Sequence, residues 1–157
     1  MDNRETKVIT SNRKAFHEYY VLDRLEAGIS LLGTEVKSLR QGKASLADSY
    51  ATIDDGEMYL LNLHIPQFNH ASVYYNHKPR RKRKLLLHKS QIRRLYGKLA
   101  EKGLTLIPLK LYFSGPYIKV ELGLCKGKKQ FDKREAIKAR EAKRSVDRII
   151  ASHQKYS

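Results

Sequence analysis

The sequence predicts a mainly β protein: a small antiparallel barrel with two or three short helices and a disordered basic C-terminal tail. Three observations carry this. Short segments rich in alternating β-branched and aromatic residues recur around glycine turns, as at Asp54-Asp55-Gly56 and Ser114-Gly115-Pro116. Strand patterns do not alternate with long helical ones, which argues against a parallel α/β sheet. Beyond Cys125 the composition changes to one dominated by Lys, Arg and Ala. The expected division is a barrel over residues 1–125 and a tail over 126–157.

Residues 1–15 are polar and are expected to fray. From Phe16, His17, Tyr19, Val21 and Asp23 alternate with Glu18, Tyr20, Leu22 and Arg24, which reads as strand. Gly28 and Gly33 bracket the apolar piece Ile29–Leu32 and suggest a bulge or bend. Thr34 to Gln41 reads as a short helix capped by Thr34 and closed by Gly42. Tyr50 to Ile53 and Glu57 to Ile65 read as a hairpin around Asp54-Asp55-Gly56. Residues 66–84 read as a long loop whose basic part, 74–84, is expected to be disordered by self-repulsion. Leu85 to Leu87 is a short buried run. Ser90 is expected to cap a helix to Lys102, because Ile92, Leu95, Tyr96 and Leu99 form one apolar stripe. Thr105 to Phe113 and Tyr117 to Leu124 complete about six strands. A small barrel of this kind fits the OB-like type, which often binds nucleic acid. In the tail, Ala139, Ala142, Val146 and Ile149 share a face, but the stripe is too narrow to hold a helix without a partner.

Of the 157 residues, 32 are Lys or Arg and 16 are Asp or Glu, a formal charge of +16. The excess is concentrated. Residues 1–77 carry −2, residues 78–94 carry +9, residues 95–125 carry +2 and residues 126–157 carry +7. Two separate basic segments suggest two contacts with a polyanion, nucleic acid before an anionic membrane surface. If the internal segment neutralised about six phosphates, affinity would fall about a thousandfold between roughly 50 and 200 mM salt. A solvated solubility loop is the plainer alternative for that segment.

Other classes find little support. A single cysteine, Cys125, permits no internal disulfide and fits a reducing cytoplasm. The start, Met-Asp-Asn-Arg-Glu, lacks the apolar run of a signal peptide, and no apolar run approaches the roughly 20 residues of a membrane span. The six histidines, His17, His64, His70, His77, His88 and His153, show no recognised metal spacing, so no metal or cofactor is expected. Phosphate-loop and serine-hydrolase motifs are missing. His17 with Glu18 or Glu26 is the available pair for a metal-free nuclease, although a strand histidine explains His17 as well. Tyr19, Tyr20, Tyr59, Tyr96, Tyr112 and Tyr117 read as core or half-core, with one or two left as candidates to stack on bases.

Several motifs then fall in order: Asn12-Arg13-Lys14-Ala15, His17-Glu18-Tyr19, Leu25-Glu26-Ala27-Gly28, the stretch Gly33 to Lys43, Arg83-Lys84-Leu85-Leu86-Leu87, Lys126-Gly127-Lys128-Lys129 and Asp132-Lys133-Arg134. Together they resemble the small protein B family, the SsrA-binding proteins of bacterial trans-translation, over about residues 8–150. The resemblance implies an OB-like barrel that binds the tRNA-like domain of transfer-messenger RNA. It implies entry to stalled ribosomes, with the basic tail in the vacant mRNA channel beyond the decoding centre of the small subunit. It also implies an indirect association with alanyl-tRNA synthetase and elongation factor Tu, no catalytic residue, a cytoplasmic location and action as a monomer.

By the same resemblance the RNA contacts would be Asn12, Glu26, Leu86 and Lys119. His17 and the loop cations Arg80, Arg81, Lys82, Arg83 and Lys84 join them as candidates. Ribosome contacts would come from Gly127, Lys128, Lys129, Asp132, Lys133 and Arg134. Phe131 stands where many relatives have His or Tyr, and Lys78 where relatives often have Asp. Ile149 and Ile150, the largest apolar groups of the tail, are expected to meet the ribosome. Two rival functions are a structural ribosomal or rRNA-binding protein and a small metal-independent ribonuclease.

Overall fold

The structure, a computed structural model, describes residues 5–101 and 103–156, with backbone alone for Val73, Gln130–Asp132, Ala136 and residues 152–156. The chain separates into two compact units, Met1–Lys126 and Gly127–Ser157.

The first unit runs β1 (Thr6–Ser11), α1 (Arg13–Glu18), β2 (Tyr19–Ile29), α2 (Gly33–Arg40), β3 (Tyr50–Asp54), β4 (Glu57–Leu61), a single 3-10 turn (Val73–Tyr75), β5 (Arg83–Leu86), α3 (Lys89–Leu99), β6 (Leu104–Ser114) and β7 (Tyr117–Gly127). The sheet order is β1-β6-β3-β4-β5-β2-β7, and β6 also pairs with β7. Six strands therefore close a ring, from β6 through β3, β4, β5, β2 and β7 back to β6, and β1 lies beside it. The OB-like antiparallel barrel read from the sequence is the architecture observed. Its lumen is filled by Ala27, Met58, Leu60, Leu85, Leu106, Leu111, Val120 and Leu122, with Leu39 and Leu95 of the helices packed against them.

Strand β6 serves two partners along one edge. Its first part pairs with β3 at Ala51↔Leu106, and its last part pairs with β1 from Lys110 to Ser114. On the other edge, against β7, the register shifts between Pro108 and Lys110. Pro108 has no N–H to offer a neighbour, so the first edge can change partner there. Asn12 seals the junction. Its N–H donates to the Leu109 carbonyl at 2.8 Å, and its Nδ2 donates to the Pro108 carbonyl at 3.0 Å.

Residues 6–11, expected to fray, are strand β1, and Arg13–Glu18 is a helix, so the strand read from Phe16 begins at Tyr19. The helix arises because Asn12 Oδ1 accepts the Ala15 N–H at 3.2 Å. Ala15 then packs on Ile107, Leu109 and Cys125, a second small core outside the barrel. Gly123 lies under it. A Cβ there would meet Leu109 Cδ1 at 2.9 Å, so a larger residue would have to displace the Leu109 side chain.

Other boundaries shift for local reasons. Helix α2 starts at Gly33, and the side chain of Thr34 is used elsewhere, bonded to His77. The Asp55-Gly56 hairpin forms with φ of 50° and 75°, but β4 ends at Leu61, where Asn62 turns to φ 65°. Helix α3 is capped from His88, whose N–H donates to Gln91 Oε1 at 3.0 Å, and ends at Leu99 before Gly103 at φ 87°. Of the run Leu85–Leu87, Leu85 is buried and Leu86 exposed, as strand alternation requires.

The largest correction concerns the basic segment. Arg83 is the first residue of β5, its side chain is fully buried, and it faces the core beside Leu85. Its Nε donates to Glu35 Oε2, its Nη1 to the Leu63 carbonyl and its Nη2 to the Pro79 carbonyl at 3.0 Å. Arg81 Nε reaches Glu35 Oε1 at 3.0 Å, and that oxygen also takes the Leu32 N–H at 2.8 Å. Lys82 pairs with Asp54 and Lys84 with Glu57, both at 3.3 Å. The expected self-repulsion is thus answered by carboxylates distant in sequence, and the segment is ordered.

The second unit is a helix, α4 (Gln130–Tyr156), in which Val146, Ile149 and Ile150 are exposed.

Burial alone would raise the pKa of Glu35, but the bonds from Arg81 and Leu32 and the charge of Arg83 overcome it and hold the carboxyl below the usual carboxylate range. The sign follows. A group with a depressed folded-state pKa adds stability above its unfolded value, near 4.3, and loses it as pH falls through the folded value. Glu35→Gln leaves the buried Arg83 and the half-buried Arg81 short of an anion, and is expected to cost about 3–5 kcal/mol in urea unfolding at pH 7. The loss should shrink as pH falls below about 4.

Candidate nucleic-acid interface

On the outside of the barrel, β2, β7 and β6 lie side by side. Alternation turns Arg24 and Glu26 of β2, Lys119 and Glu121 of β7, and Lys110 and Tyr112 of β6 toward one face. Tyr112 stands directly opposite Lys119 in the β6–β7 ladder. Its ring is buried, and its hydroxyl donates to Glu26 Oε2. Burial pushes the Tyr112 phenol well above its ordinary pKa, and the bond to Glu26 adds to this, so it stays a donor. The other oxygen, Oε1, lies 3.9 Å from Lys119 Nζ. Glu121 in turn meets Arg24 Nη1 at 3.2 Å and Lys110 Nζ at 3.5 Å. Lys110 sits 5.3 Å from the Tyr112 ring centroid and Arg24 5.4 Å from that of Phe16.

Leu86 adds an apolar element. It is the outward residue of β5 paired with Gly28, and a Cβ at Gly28 would come within 3.2 Å of the Leu86 Cβ. Glycine thus lets Leu86 lie low on the surface. Glu26, Gly28, Leu86, His88 and Lys119 line one shallow hollow. Such a hollow offers an anion acceptor site, a carboxylate that can take hydrogen bonds from a 2′-hydroxyl or base amine, and an apolar contact for a ring. That combination suits RNA.

The structure thus brings Glu26, Leu86 and Lys119 together. Asn12 stands apart: its side chain is buried and both ends are used within the fold. His17 is half-buried in the last turn of α1. Among the loop cations, Arg80, Lys82 and Lys84 are exposed, Arg81 is half-buried against Glu35, and Arg83 is removed from solvent altogether. Arg83 therefore cannot meet a phosphate, and the role expected of it as an RNA contact is corrected to a structural one. In α4, Arg134 is exposed and Lys133 half-buried, while the side chains of Phe131 and Asp132 lie outside the described residues. Gly127 is the last residue of β7 and is exposed, as is Lys129, and Lys128 is half-buried. Tyr112 as the holder of Glu26 was missed. The signal was available in the period-2 alternation that puts it on the face of Lys110 and Lys119.

Among the described residues, no group of three His, Cys, Asp or Glu is placed to hold a metal ion, and no helix is long and apolar enough to cross a membrane.

A closed antiparallel barrel with a partly apolar exterior hollow holding a Lys–Glu pair, exposed cations at and just before β5 and a separate basic helix defines an OB-like nucleic-acid-binding protein. Comparison with known proteins narrows this class. The family of the SmpB protein matches residues 9–152, and the chain belongs to that family. It is 54% identical over 144 residues to the SsrA-binding protein of Carboxydothermus hydrogenoformans, covering 92% of this chain and 96% of that one. It is 58% identical over 145 residues to the SsrA-binding protein of Syntrophobacter fumaroxidans, covering 92% and 89%. A solved structure presented as "tmRNA-SmpB: a journey to the center of the bacterial ribosome" is 54% identical, with a TM-score of 0.66 over 82% of this chain and 93% of that chain.

The structural role of Asn12 is testable. Asn12→Ala removes the α1 cap and a donor to Pro108, and is expected to cost about 1 kcal/mol or somewhat more in urea unfolding. An unchanged midpoint would mean that the amide does no structural work.

Proposed function

We propose that this protein is an RNA-binding adaptor of trans-translation. It binds the tRNA-like domain of transfer-messenger RNA and delivers it to stalled bacterial ribosomes. The observation that carries this reading is the family match over residues 9–152, which takes in both the barrel hollow and most of α4.

The hollow of Glu26, Leu86 and Lys119 is the RNA contact. Lys119 meets phosphate or 2′-hydroxyl oxygen. Glu26, held by Tyr112, orients Lys119 and accepts hydrogen bonds from the RNA. Arg80, Lys82 and Lys84 add phosphate contacts, since surface carboxylates hold the two lysines weakly and Arg80 reaches only the Asn62 carbonyl at 3.5 Å. Helix α4 is the ribosome-binding part. It is disordered in the free protein, because its apolar stripe is narrow, and folds in the vacant mRNA channel, with Gly127, Lys128, Lys129, Phe131, Asp132, Lys133 and Arg134 near the decoding centre. The protein works in the cytoplasm as a monomer, without catalytic chemistry of its own. Alanyl-tRNA synthetase and elongation factor Tu meet it through the charged RNA.

Affinity purification from cells followed by sequencing of the bound RNA tests the reading. One dominant species with a tRNA-like end and a short reading frame is expected. Uniform recovery of rRNA would make the protein a ribosomal component, and cleavage of bound RNA abolished by His17→Ala would make it a nuclease.

Two quantitative outcomes follow. With Arg83 buried and Arg81 committed to Glu35, about four cations remain for phosphates: Arg80, Lys82, Lys84 and Lys119. Affinity should then fall about a hundredfold between roughly 50 and 200 mM salt, less than the raw charge of the segment implies. Lys119→Ala should lower the salt slope by about one and leave thermal unfolding unchanged. In the tail, Ile149 and Ile150 are exposed. Replacing both with Asn is expected to change stability by less than about 0.5 kcal/mol, yet impair peptide tagging on stalled ribosomes.

A further inference from the structure

We propose that Tyr74 and Tyr75 form a second RNA contact, a stacking site for unpaired bases of single-stranded RNA. Both rings belong to the 3-10 turn Val73–Tyr75, in the connection between β4 and β5. Their relative exposures are 94% and 83%, far above those of the other exposed large apolar side chains of the barrel unit. Neither ring contributes to the hollow of Glu26, Leu86 and Lys119.

The segment that carries them is clamped at its base. Asn76 Oδ1 accepts the Phe68 N–H at 3.1 Å, and its Nδ2 donates to the Phe68 carbonyl at 2.9 Å. This pair of bonds closes residues 68–76 into a small loop. Gln67 Nε2 donates to the His77 carbonyl at 3.1 Å. The buried His77 ring then fixes the loop to the barrel. Its Nε2 lies 2.8 Å from the Ile65 carbonyl, which can only accept, so Nε2 carries the proton. Its Nδ1 lies 2.8 Å from the Thr34 hydroxyl. At the tip, the Tyr75 N–H donates to the Ser72 carbonyl at 3.1 Å. Two aromatic faces are therefore presented to solvent from a base tied to α2 and to the buried Ile65 beyond β4. Part of the ordering cost of a binding loop is already met.

Charge names the ligand class. Residues 58–100 contain no Asp or Glu and ten Lys or Arg. The exposed Lys78 and Arg80 follow Tyr75 by three and five positions. Aromatic faces next to spaced cations match the alternation of base and phosphate in an unpaired strand. A duplex offers the same charge but hides its base faces. An acidic peptide offers charge without base faces.

The inference adds a contact to the RNA-binding reading without depending on the identity of the RNA. The chain has no Trp, so Tyr75→Trp in the full-length protein supplies a unique fluorophore. Titration with an oligoadenylate of about 12 nucleotides at low salt should quench it. A duplex RNA of equal length should quench little. In parallel, Tyr74→Leu with Tyr75→Leu should weaken binding of a labelled oligoadenylate about tenfold or more, with the salt slope and thermal unfolding unchanged. Unchanged affinity in this double variant, or equal quenching by duplex, would overturn the proposal. Quenching by a polyglutamate peptide and not by RNA would also overturn it and assign the rings to a protein partner. Lys119→Ala measured alongside, on tRNA-like RNA, reads the barrel hollow alone, so failure of the hollow is distinguishable from failure of the tyrosine site.

Discussion

A carboxylate with no solvent exposure, Glu35, holds two arginines at and just before the start of the strand that closes the barrel. Arg83 opens β5 on the core-facing register, and β5 is the strand that joins β4 to β2 and closes the ring. A bare guanidinium there would be costly to bury. Glu35 neutralises it, and the carbonyls of Leu63 and Pro79 each accept a hydrogen bond from one of its terminal nitrogens. Because Glu35 stands in the first turn of α2, the same pair fixes that helix against the sheet. Thr34 and Ser38 of the same helix reach His77 and the Pro66 carbonyl, so one face of α2 gathers the whole β4–β5 connection.

This arrangement divides the basic segment by function. Arg81 and Arg83 are structural. Arg80, Lys82 and Lys84 point outward from the frame those two create, and Lys82 also lies 4.1 Å from the Tyr59 ring centroid. A polyanion would thus meet cations on an ordered strand and turn rather than on a disordered loop. On the neighbouring face the same economy recurs: Tyr112 holds Glu26, and Glu26 holds Lys119 in place. A carboxylate in the hollow proposed to bind RNA is then no paradox, since it sets the position of a cation and can accept hydrogen bonds itself.

What the sequence revealed follows from the range of the signal. The hairpin at Asp55-Gly56, the α3 stripe of Ile92 and Leu95, and the long β6–β7 pair depend on local periodicity and turn chemistry, and all were legible. Strand β1 was hidden because its two apolar residues, Val8 and Ile9, stand among polar ones without alternation, and a strand beside the barrel needs backbone pairing more than burial. Helix α1 was hidden because its cap, Asn12, precedes only six helical residues, and the alternation of β2 read through it. The order of the basic segment was hidden for a different reason. Its counter-charges, Glu35, Asp54 and Glu57, lie 25 or more positions away, and a local charge count cannot see them. Glu26, Leu86 and Lys119 were suggested only by family resemblance. Geometry brings these three together in one hollow, and it buries the Asn12 side chain in bonds within the fold.

Amide hydrogen exchange across residues 78–86 of the free, full-length protein tests this account most directly. With Arg83 locked by Glu35, β5 pairs with β4 at Leu60↔Arg83, Tyr59↔Lys84 and Met58↔Leu85. The amides of residues 83–86 should then exchange with the slow core of the barrel, and together with those of β4. Exchange at the rate of an unstructured chain, with β4 still protected, would show that the basic segment is disordered and that the buried ion pair does not organise the fold.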